Sequence, residues 1–217
     1  MVDAVVLLSG GVDSATALAW AVRKQGWRAA AISFDYGQRH RAELDAARRV
    51  AEALGARPHR MVRVDLAAIG GSALTEKTLT VPKTGYAGGI PITYVPGRNM
   101  IFLALAASLA EVLGCTRLVI GANVVDYSGY PDCRPEFLDA MAEAITRGTK
   151  IGAQGQRWRI EAPLLRLTKA DIVRLGLRLG LDYGLTHSCY DPDDQGRACG
   201  WCDACRFRAE GFAEAGV

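Results

Sequence analysis

Short apolar runs alternate along the chain with longer stretches in which apolar residues recur every three or four positions. The runs at residues 4–8, 28–34, 59–66, 117–120 and 158–164 predict strands. The stretches at 15–20, 43–54, 99–114, 137–145 and 168–180 predict helices. This alternation is typical of right-handed crossovers, so we expect an α/β fold: an open parallel sheet with helices on both faces, a Rossmann-like arrangement.

Two segments depart from this alternation. Residues 70–97 are rich in Gly, Pro and Thr and predict a long irregular segment, which in a compact domain is usually functional. From residue 183 the chain becomes dense in Cys, Asp and Gly. We therefore expect a main domain over residues 1–182 and a small C-terminal subregion over residues 183–217.

Composition and charge narrow the classes of function. The chain has 217 residues, half of them apolar, and a net charge of +3, which is too slight for a broad nucleic-acid-binding surface. The longest apolar stretch, residues 100–113, contains Glu111 and is shorter than a membrane span. No basic region precedes the apolar run at 4–8, which argues against a signal peptide. We expect a cytoplasmic protein with neither a membrane nor a nucleic-acid partner.

The hexapeptide SGGVDS at residues 9–14 joins the first strand to the first helix. Glycines let the backbone approach an anion closely, and the free N–H groups of a helix start attract negative charge. The loop is no Walker A motif, because no Lys precedes Ser14. Simple helix capping by Asp13 or Ser14 is the alternative, but a cap does not require two glycines and a second serine. The segment therefore predicts a phosphate site.

Four of the six cysteines lie close together, in the pattern C-x9-C-x2-C-x2-C: Cys189, Cys199, Cys202 and Cys205. This spacing suits one tetrahedral Zn²⁺, and His187 can replace one of the thiolates. An iron–sulfur cluster is the alternative, although the polar surroundings favour zinc. Four protein ligands leave no open position for water, so we expect a structural ion that holds the C-terminal helix in place.

A polar loop at residues 121–137 follows the fourth predicted strand, which places it at the same edge of the sheet as residues 9–14. Asp126 can accept hydrogen bonds from the N–H edge of a purine-like ring, and Tyr127 or Tyr130 can stack on its face. Asp132 offers a second carboxylate, and Arg134 can hold a carboxylate of the ligand. The alternative is a polar surface turn.

Five motifs occur in order over nearly the whole chain: SGGVDS at 9–14, DYGQRH at 35–40, VPGRN at 95–99, DYSGYPDCR at 126–134, and THSC at 186–189 with the remaining cysteines. Together they resemble the QueC family of 7-cyano-7-deazaguanine synthases, which are PP-loop ATP pyrophosphatases. The first motif alone fits GMP synthetases and tRNA thiolases equally well, whereas the later motifs select QueC. Val12 departs from the family pattern, in which Gln is frequent.

The resemblance implies a ligase that joins 7-carboxy-7-deazaguanine and ammonia, using ATP and Mg²⁺, into the nitrile. The route passes through an adenylated acid, an amide and an adenylated amide. It also implies a homodimer and an ATP site along Leu8, Ser9, Gly10, Gly11, Val12, Asp13, Ser14, Ala15, Thr16, Ala17 and Leu18.

The catalytic candidates under this resemblance are Asp13, Arg98 and Lys169, the last two as positive charges facing the phosphates. The deazaguanine site is expected to use Asp126, Tyr127, Tyr130, Asp132 and Arg134. Each cation also has a simpler interpretation, because Lys169 lies in a predicted first helical turn and Arg98 can form a surface ion pair.

Three other functions compete with this one. A PP-loop tRNA thiolase would use the same adenylation with a persulfide cysteine, for which Cys133 lies in a suitable loop, but the near-neutral charge argues against RNA binding. A GMP-synthetase-like amidation would need a glutamine-hydrolysing domain that this length does not provide. A zinc-stabilised nucleotide-binding module without activity leaves the loop at 126–134 unexplained.

Overall fold

A computed structural model of the chain describes residues 1–83, 88–125 and 129–217. Five strands form one parallel sheet in the order β3-β2-β1-β4-β5. The strands are β1 (Ala4–Leu7), β2 (Ala29–Asp35), β3 (His59–Arg63), β4 (Arg117–Val119) and β5 (Arg159–Glu161). All five predicted strands are confirmed, the last one much shorter than predicted.

The helices confirm the predicted periodic stretches. They are α1 (Val12–Ala19), α2 (Ala42–Ala53), α3 (Arg98–Val112), α4 (Pro135–Gly148), α5 (Lys150–Ala153), α6 (Lys169–Arg178) and α7 (Asp203–Ala215). A π-helical turn at Trp20–Lys24 continues α1, and 3-10 turns cover Pro131–Cys133 and Tyr183–Leu185.

The two faces of the sheet are both covered by helices, as predicted. Successive side chains of a strand point to opposite faces. Along β1, Val5 and Leu7 therefore pack in the cluster that contains Leu103 of α3, whereas Val6 packs in the cluster that contains Leu18 of α1. Every residue of β1 is buried, which explains why this strand is a continuous apolar run rather than an alternating one.

The strand order reverses at β1, which has β2 on one side and β4 on the other. In an open parallel sheet, the connections that leave two such neighbours go to opposite faces and leave a crevice at their carboxyl ends. The phosphate-binding loop predicted at residues 9–14 and the polar loop that follows β4 both begin at this crevice.

The connection from β3 to α3 is the predicted irregular segment, and its described part, residues 64–83 and 88–97, contains no helix or strand. It is nevertheless well packed, because Val81 and Val95 are buried. Arg39 anchors it: Nε donates to the Ala73 carbonyl at 2.7 Å and Nη2 to the Glu76 carbonyl at 3.1 Å. Among the described residues, no helix has the length and apolarity needed to cross a membrane.

Candidate active site

A cleft of about 290 Å³ opens at the carboxyl ends of β1, β2 and β4. The loop after β1 and the first residue of α6 form one end of it, the phosphate end. The first residues of α3 and the aromatic side chains that follow β2 form the other end, the aromatic end. Because α1 and α6 belong to one face of the sheet and α3 to the other, the cleft spans both faces.

Backbone N–H groups and hydroxyls converge in the loop at the phosphate end. The Ser14 hydroxyl accepts hydrogen bonds from the N–H groups of Ser9 (3.1 Å) and Gly10 (3.2 Å), and its oxygen lies 2.9 Å from that of the Ser9 hydroxyl. The Gly11 N–H donates to the Ser9 hydroxyl at 3.4 Å. Donors that converge on small hydroxyl oxygens in this way are arranged to bind the oxygens of a phosphate.

Steric constraints require glycine at only one of the two adjacent glycine positions. Gly10 has φ +91°, and a Cβ atom there would lie 2.4 Å from the Glu43 carbonyl oxygen and 2.6 Å from the Ala47 nitrogen. Gly11 has φ −79°, and a Cβ there would make ordinary contacts. Capping of α1 by Asp13 or Ser14 is wrong, because Gly11 is the N-cap of this helix and both residues lie inside it.

Lys169 and Asp13, predicted as candidates from distant parts of the sequence, meet at the phosphate end. The Lys169 ammonium donates to the two carboxylate oxygens of Asp13 at 2.6 and 2.7 Å. Thr168 caps α6 through its hydroxyl, as predicted, and so fixes the start of this helix. Helix α7 covers the lysine stem closely, since a Cβ at Gly211 would lie 2.3 Å from Lys169 Cγ.

The predicted ATP-binding stretch divides into two parts. The residues that line the cleft are Leu8, Ser9, Gly11, Val12, Asp13 and Ser14. Behind them, Ala15, Thr16, Ala17 and Leu18 are buried in the packing of α1. The Thr16 hydroxyl lies 2.8 Å from the Val12 carbonyl oxygen and 2.7 Å from the Tyr183 hydroxyl. These four residues therefore support the loop instead of facing the cleft.

At the aromatic end, Arg98 is the first residue of α3 and follows Gly97, which has φ +65°. Its guanidinium carbon lies 5.9 Å from the ring centres of both Tyr36 and Tyr130. Phe102 stacks on a neighbouring aromatic ring of β2 at a centroid distance of 4.0 Å. A planar cation between aromatic rings is suited to a flat ligand that carries an anionic group.

The predicted deazaguanine-binding residues have different positions. Asp126 and Tyr127 lie outside the described residues. Tyr130 is buried and lines the cleft. Asp132 is also buried but is not among the residues that line the cleft. Its Oδ2 accepts from the Asn99 backbone N–H at 3.1 Å, and Oδ1 has no hydrogen-bond partner among the described residues.

Arg134 is exposed at the start of α4 and does not line the cleft. Its interpretation as a holder of the substrate carboxylate has no support in this geometry, because the side chain is exposed outside the cleft.

Several residues that sequence reasoning missed also line the cleft: Tyr36, Glu43, Ser188 and Arg208. Arg208 of α7 donates to the Thr186 hydroxyl at 2.7 Å. The signal for Tyr36 was its position directly after β2, whose carboxyl end borders the same crevice, whereas no local signal marked Glu43, the second residue of α2. Ser188 and Arg208 come from the C-terminal subregion, and nothing in their local sequence indicates where that subregion packs.

Burial changes the proton affinity of three groups in the cleft. It raises the pKa of Glu43 to about 7, although the positive charge of Arg98 opposes this shift. It raises the pKa of the Tyr36 phenol to about 12 and that of the Cys133 thiol to about 12. Cys133 is therefore a protonated thiol at neutral pH, which is the opposite of an activated cysteine.

The four clustered cysteines form a site that fits a metal ion. Their sulfur atoms all lie within 4.8 Å of one another, and those of Cys189 and Cys202 are 4.0 Å apart. Four sulfurs around one Zn²⁺, with bonds of about 2.3 Å, stand about 3.8 Å apart. Backbone N–H groups donate to the sulfurs, for example Cys199 to Cys189 at 3.2 Å and Trp201 to Cys199 at 3.4 Å. Such donors stabilise thiolate ligands.

A short segment connects this cysteine site to the phosphate end. The His187 backbone N–H donates to the Gly10 carbonyl at 2.9 Å, and the Ser188 hydroxyl accepts from the Val12 N–H at 3.3 Å. The predicted alternative, His187 as a metal ligand, is unsupported, because the described group consists of the four cysteines alone. His187 Nε2 is instead buried, without a hydrogen-bond partner among the described residues.

Comparisons with solved structures agree with the fold. An NMN synthetase from Francisella tularensis is 16% identical with a TM-score of 0.52, over 99% of this chain and 77% of that one. The U34-tRNA thiolase NcsA from Methanococcus maripaludis, with its [4Fe-4S] cluster, is 17% identical with a TM-score of 0.53, over 98% of this chain and 64% of that one. At these identities the likeness concerns the fold alone.

Sequence comparisons are more specific. A 7-cyano-7-deazaguanine synthase from Pseudomonas syringae pv. tomato is 58% identical over 214 residues, covering 99% of this chain and 94% of the relative. The family model described as queuosine biosynthesis protein QueC matches residues 3–216. This match spans both ends of the cleft and the cysteine site, and the chain belongs to the QueC family.

Proposed function

We propose that this protein is a 7-cyano-7-deazaguanine synthase, a ligase that converts 7-carboxy-7-deazaguanine and ammonia to the nitrile at the expense of ATP. The observation that carries the proposal is the joining, in one cleft, of a loop suited to pyrophosphate and an aromatic end that contains a cation. A reaction that activates a flat, anionic substrate with ATP needs both.

The first half of the reaction activates the acid. A carboxylate is a poor electrophile because neither oxygen leaves readily. Attack of one carboxylate oxygen on the α phosphorus of ATP displaces pyrophosphate and forms an acyl adenylate. Ammonia then forms a C–N bond, the C–O bond breaks, and AMP leaves with the bonding electron pair and that oxygen, giving the amide.

The second half repeats the activation on the amide. The amide oxygen attacks a second ATP and again displaces pyrophosphate. Loss of the remaining N–H protons and cleavage of the C–O bond then form the C≡N triple bond and release a second AMP. Each AMP thus carries away one oxygen of the original carboxylate.

At the phosphate end, the N–H groups of residues 9–12 and the hydroxyls of Ser9 and Ser14 are proposed to hold the pyrophosphate. Lys169 stabilises the negative charge that develops on it, an electrostatic effect that is often the largest in catalysis. Asp13 is the proposed ligand for Mg²⁺, which supplies further charge neutralisation when it is bound with ATP. Lys169 already holds this carboxylate in place.

At the aromatic end, Arg98 is proposed to attract the substrate carboxylate and to stabilise the charge that develops on its oxygens. Tyr36 and Tyr130 provide aromatic surface for the deazaguanine ring. Asp132 has a buried carboxylate oxygen without a hydrogen-bond partner among the described residues, which suits an N–H edge. Asp126 and Tyr127 remain predicted contacts of the same ring.

For the cysteine site we propose one structural Zn²⁺. The sulfur separations support a single ion, because a four-iron cluster binds each thiolate to a different iron and would spread the sulfurs further apart. The ion is expected to hold residues 187–188 against the loop at residues 9–14. Cys202→Ser should lower metal content and melting temperature together; iron and acid-labile sulfide in the purified protein would contradict zinc.

The proposal is tested by incubating the purified protein with ATP, ammonium and 7-carboxy-7-deazaguanine and measuring the nitrile by mass spectrometry. Two AMP should form per nitrile. When both carboxylate oxygens are labelled with ¹⁸O, each AMP should contain one labelled atom. Absence of nitrile, with sulfur transfer to tRNA instead, would overturn the proposal. We also propose a homodimer, on the family resemblance alone, which light scattering tests.

The thiolase alternative is not favoured. It requires a nucleophilic cysteine near the adenylated substrate, and Cys133 is the cysteine of the cleft. Burial and the neighbouring Asp132 both raise the pKa of its thiol. A persulfide carrier needs the reverse, an environment that stabilises the thiolate.

A further inference from the structure

The proposed reaction requires a proton acceptor, and the inference that follows rests on that proposed function. Ammonium has no free electron pair, so it must lose a proton before nitrogen can attack the acyl adenylate. A further proton leaves after the attack, and the adenylated amide loses its N–H protons when the nitrile forms. A group at the aromatic end has to receive these protons.

Most titratable groups that line the described part of the cleft are unsuited to this task. Asp13 is ion-paired with Lys169, and its carboxylate is already neutralised. Arg98 and Arg208 are cations without an acceptor atom. Tyr36 and Cys133 hold their protons at neutral pH, because burial raises the pKa of each to about 12.

The other two titratable groups in that lining, besides Glu43, are the phenols of Tyr130 and Tyr190, and phenols as a class are poor bases at neutral pH. Glu43 thus remains as a carboxylate in the cleft that takes no part in an ion pair with any described residue. A carboxylate is an effective general base when its surroundings bring its pKa close to the pH at which the enzyme works.

The position of Glu43 is fixed by its helix. It is the second residue of α2, whose backbone there packs against Gly10. The side chain is partly buried and lines the cleft. This carboxylate therefore stands on a rigid helix, in the same cleft as the loop at residues 9–14 and Arg98.

A second, smaller cavity of about 20 Å³ adjoins the cleft at this point. This volume is about that of one water or ammonia molecule. Tyr36, Gln38, Glu43 and Tyr190 line both cavities, so Glu43 stands at their junction. A small nitrogen nucleophile that arrives through the smaller cavity meets this carboxylate before it meets the substrate.

We propose that Glu43 is the general base of the reaction, which accepts the proton of ammonium and then the N–H protons released on the way to the nitrile. In each step the proton moves from nitrogen to a Glu43 carboxylate oxygen, and the freed electron pair stays on nitrogen. In ammonia this pair forms the C–N bond, after the attack it remains as the lone pair of the amide nitrogen, and in the adenylated amide it completes the triple bond to carbon. The C–O pair leaves with AMP. Glu43 passes its proton to solvent between steps.

The charges around Glu43 are consistent with this role. Burial raises its pKa to about 7, the guanidinium of Arg98 on α3 lowers it, and the sulfur of Cys202 raises it. The other ionisable groups of the lining described are Asp13, Tyr36, Tyr130, Cys133, Lys169, Tyr190 and Arg208, with Arg39, His40, His187 and Cys189 around the smaller cavity.

The test compares Glu43→Gln with Glu52→Gln, an exposed glutamate on the same helix. Acid-dependent exchange of labelled pyrophosphate into ATP, without ammonia, reports the first adenylation alone and needs no base. We expect Glu43→Gln to keep this exchange within about threefold of the unsubstituted protein and to lose amide formation by about 100-fold or more. Glu52→Gln should change neither.

Hydroxylamine provides the decisive arm, because it is largely unprotonated at neutral pH whereas ammonia is largely ammonium. It should restore the first bond-forming step in Glu43→Gln and give the hydroxamate. Glu43→Asp should retain part of the ammonia-dependent rate. With the amide as substrate, no nucleophile is added and only protons are lost. Glu43→Gln should then keep the exchange of pyrophosphate into ATP but form no nitrile, and hydroxylamine should not restore nitrile formation.

Two outcomes overturn the assignment: ammonia-dependent rates that survive in Glu43→Gln, or loss of exchange in parallel with turnover in both Glu43 variants. The second would mean a role in folding or substrate binding. Failure of the proposed function looks different, since then the unsubstituted protein itself shows neither exchange nor nitrile.

Discussion

The two ends of the cleft are built in opposite ways. The phosphate end consists mainly of backbone N–H groups and hydroxyls from six consecutive residues, 9–14, completed by Lys169. The aromatic end consists of single side chains from different elements of the chain, namely Tyr36, Glu43, Arg98 and Tyr130. In the proposed reaction, the first construction binds the phosphates of ATP and the second binds the flat substrate.

Because of this difference, substitutions at the two ends should impair the reaction in two different ways. A change in the loop alters backbone geometry and should affect every ATP-dependent step. A substitution at the aromatic end removes one side chain and leaves the rest of the pocket formed. It should therefore slow only those steps in which that side chain takes part. The following substitutions test this contrast, from the largest expected effect to the smallest.

Gly10→Ala should abolish activity with both the acid and the amide. The Cβ would lie 2.4 Å from a backbone oxygen, and the residue would have to adopt φ +91°. Strain and overpacking of this kind cost roughly 2–4 kcal/mol together. Calorimetry should show a lowered melting temperature and no ATP binding. Gly11→Ala is the matched control for folding, and an equal loss of melting temperature there would contradict the steric argument.

Lys169→Gln should lower kcat by about 10²–10³-fold, and by the same factor for the acid and for the amide. The reason is that both adenylations release pyrophosphate at the same place. Pyrophosphate exchange with each substrate measures the two factors separately. A loss of exchange with only one of the two substrates would contradict this, because it would show that Lys169 acts on the substrate, as the residues of the aromatic end do.

Arg98→Gln should have a smaller and unequal effect. A charge-assisted hydrogen bond to the carboxylate contributes about 1.5–3 kcal/mol, so kcat/KM for the acid should fall about 10- to 100-fold. The neutral amide should lose less. Arg147→Gln, at an exposed site on α4, is the control. Equal losses for acid and amide would argue that Arg98 acts on the phosphates.

Cys133→Ala should change the rate of nitrile formation by less than about threefold, because a buried, protonated thiol that accepts a long hydrogen bond from Asn99 contributes little to a chemical step. Steady-state rates and the melting temperature check this. Loss of activity with an unchanged melting temperature would instead indicate a covalent role for this cysteine in the reaction.

The sequence predicted the features that depend on local pattern. The five strands, the main helices and the phosphate loop follow from apolar periodicity and from small residues at a strand end. The spacing of the four cysteines likewise predicted that Cys189 and Cys202 converge. Lys169 and Arg98 were identified by resemblance, and the structure places them at opposite ends of the cleft.

What the sequence did not reveal depends on packing between distant segments. Glu43 looks like any solvent-facing residue of an amphipathic helix until α2 is packed against Gly10. Arg134 lies in a suitable motif, but the start of α4 points it to the surface. The contact of Ser188 could not be predicted, because it depends on the cysteine-rich segment lying over the first loop. The local pattern of apolar and polar residues carries no information on that packing.

The contacts of His187 and Ser188 with the loop have a thermodynamic consequence. Ser188 contacts the loop through its hydroxyl and is followed directly by Cys189, a proposed metal ligand, so a bound ion and a bound nucleotide restrict the same few torsions. Reciprocity then requires that each ligand strengthens binding of the other by the same factor. Pyrophosphate or ATP should therefore slow the loss of metal to a chelator, and the metal-depleted protein should bind ATP more weakly. The site that performs no chemistry would in this way set the affinity of the site that does.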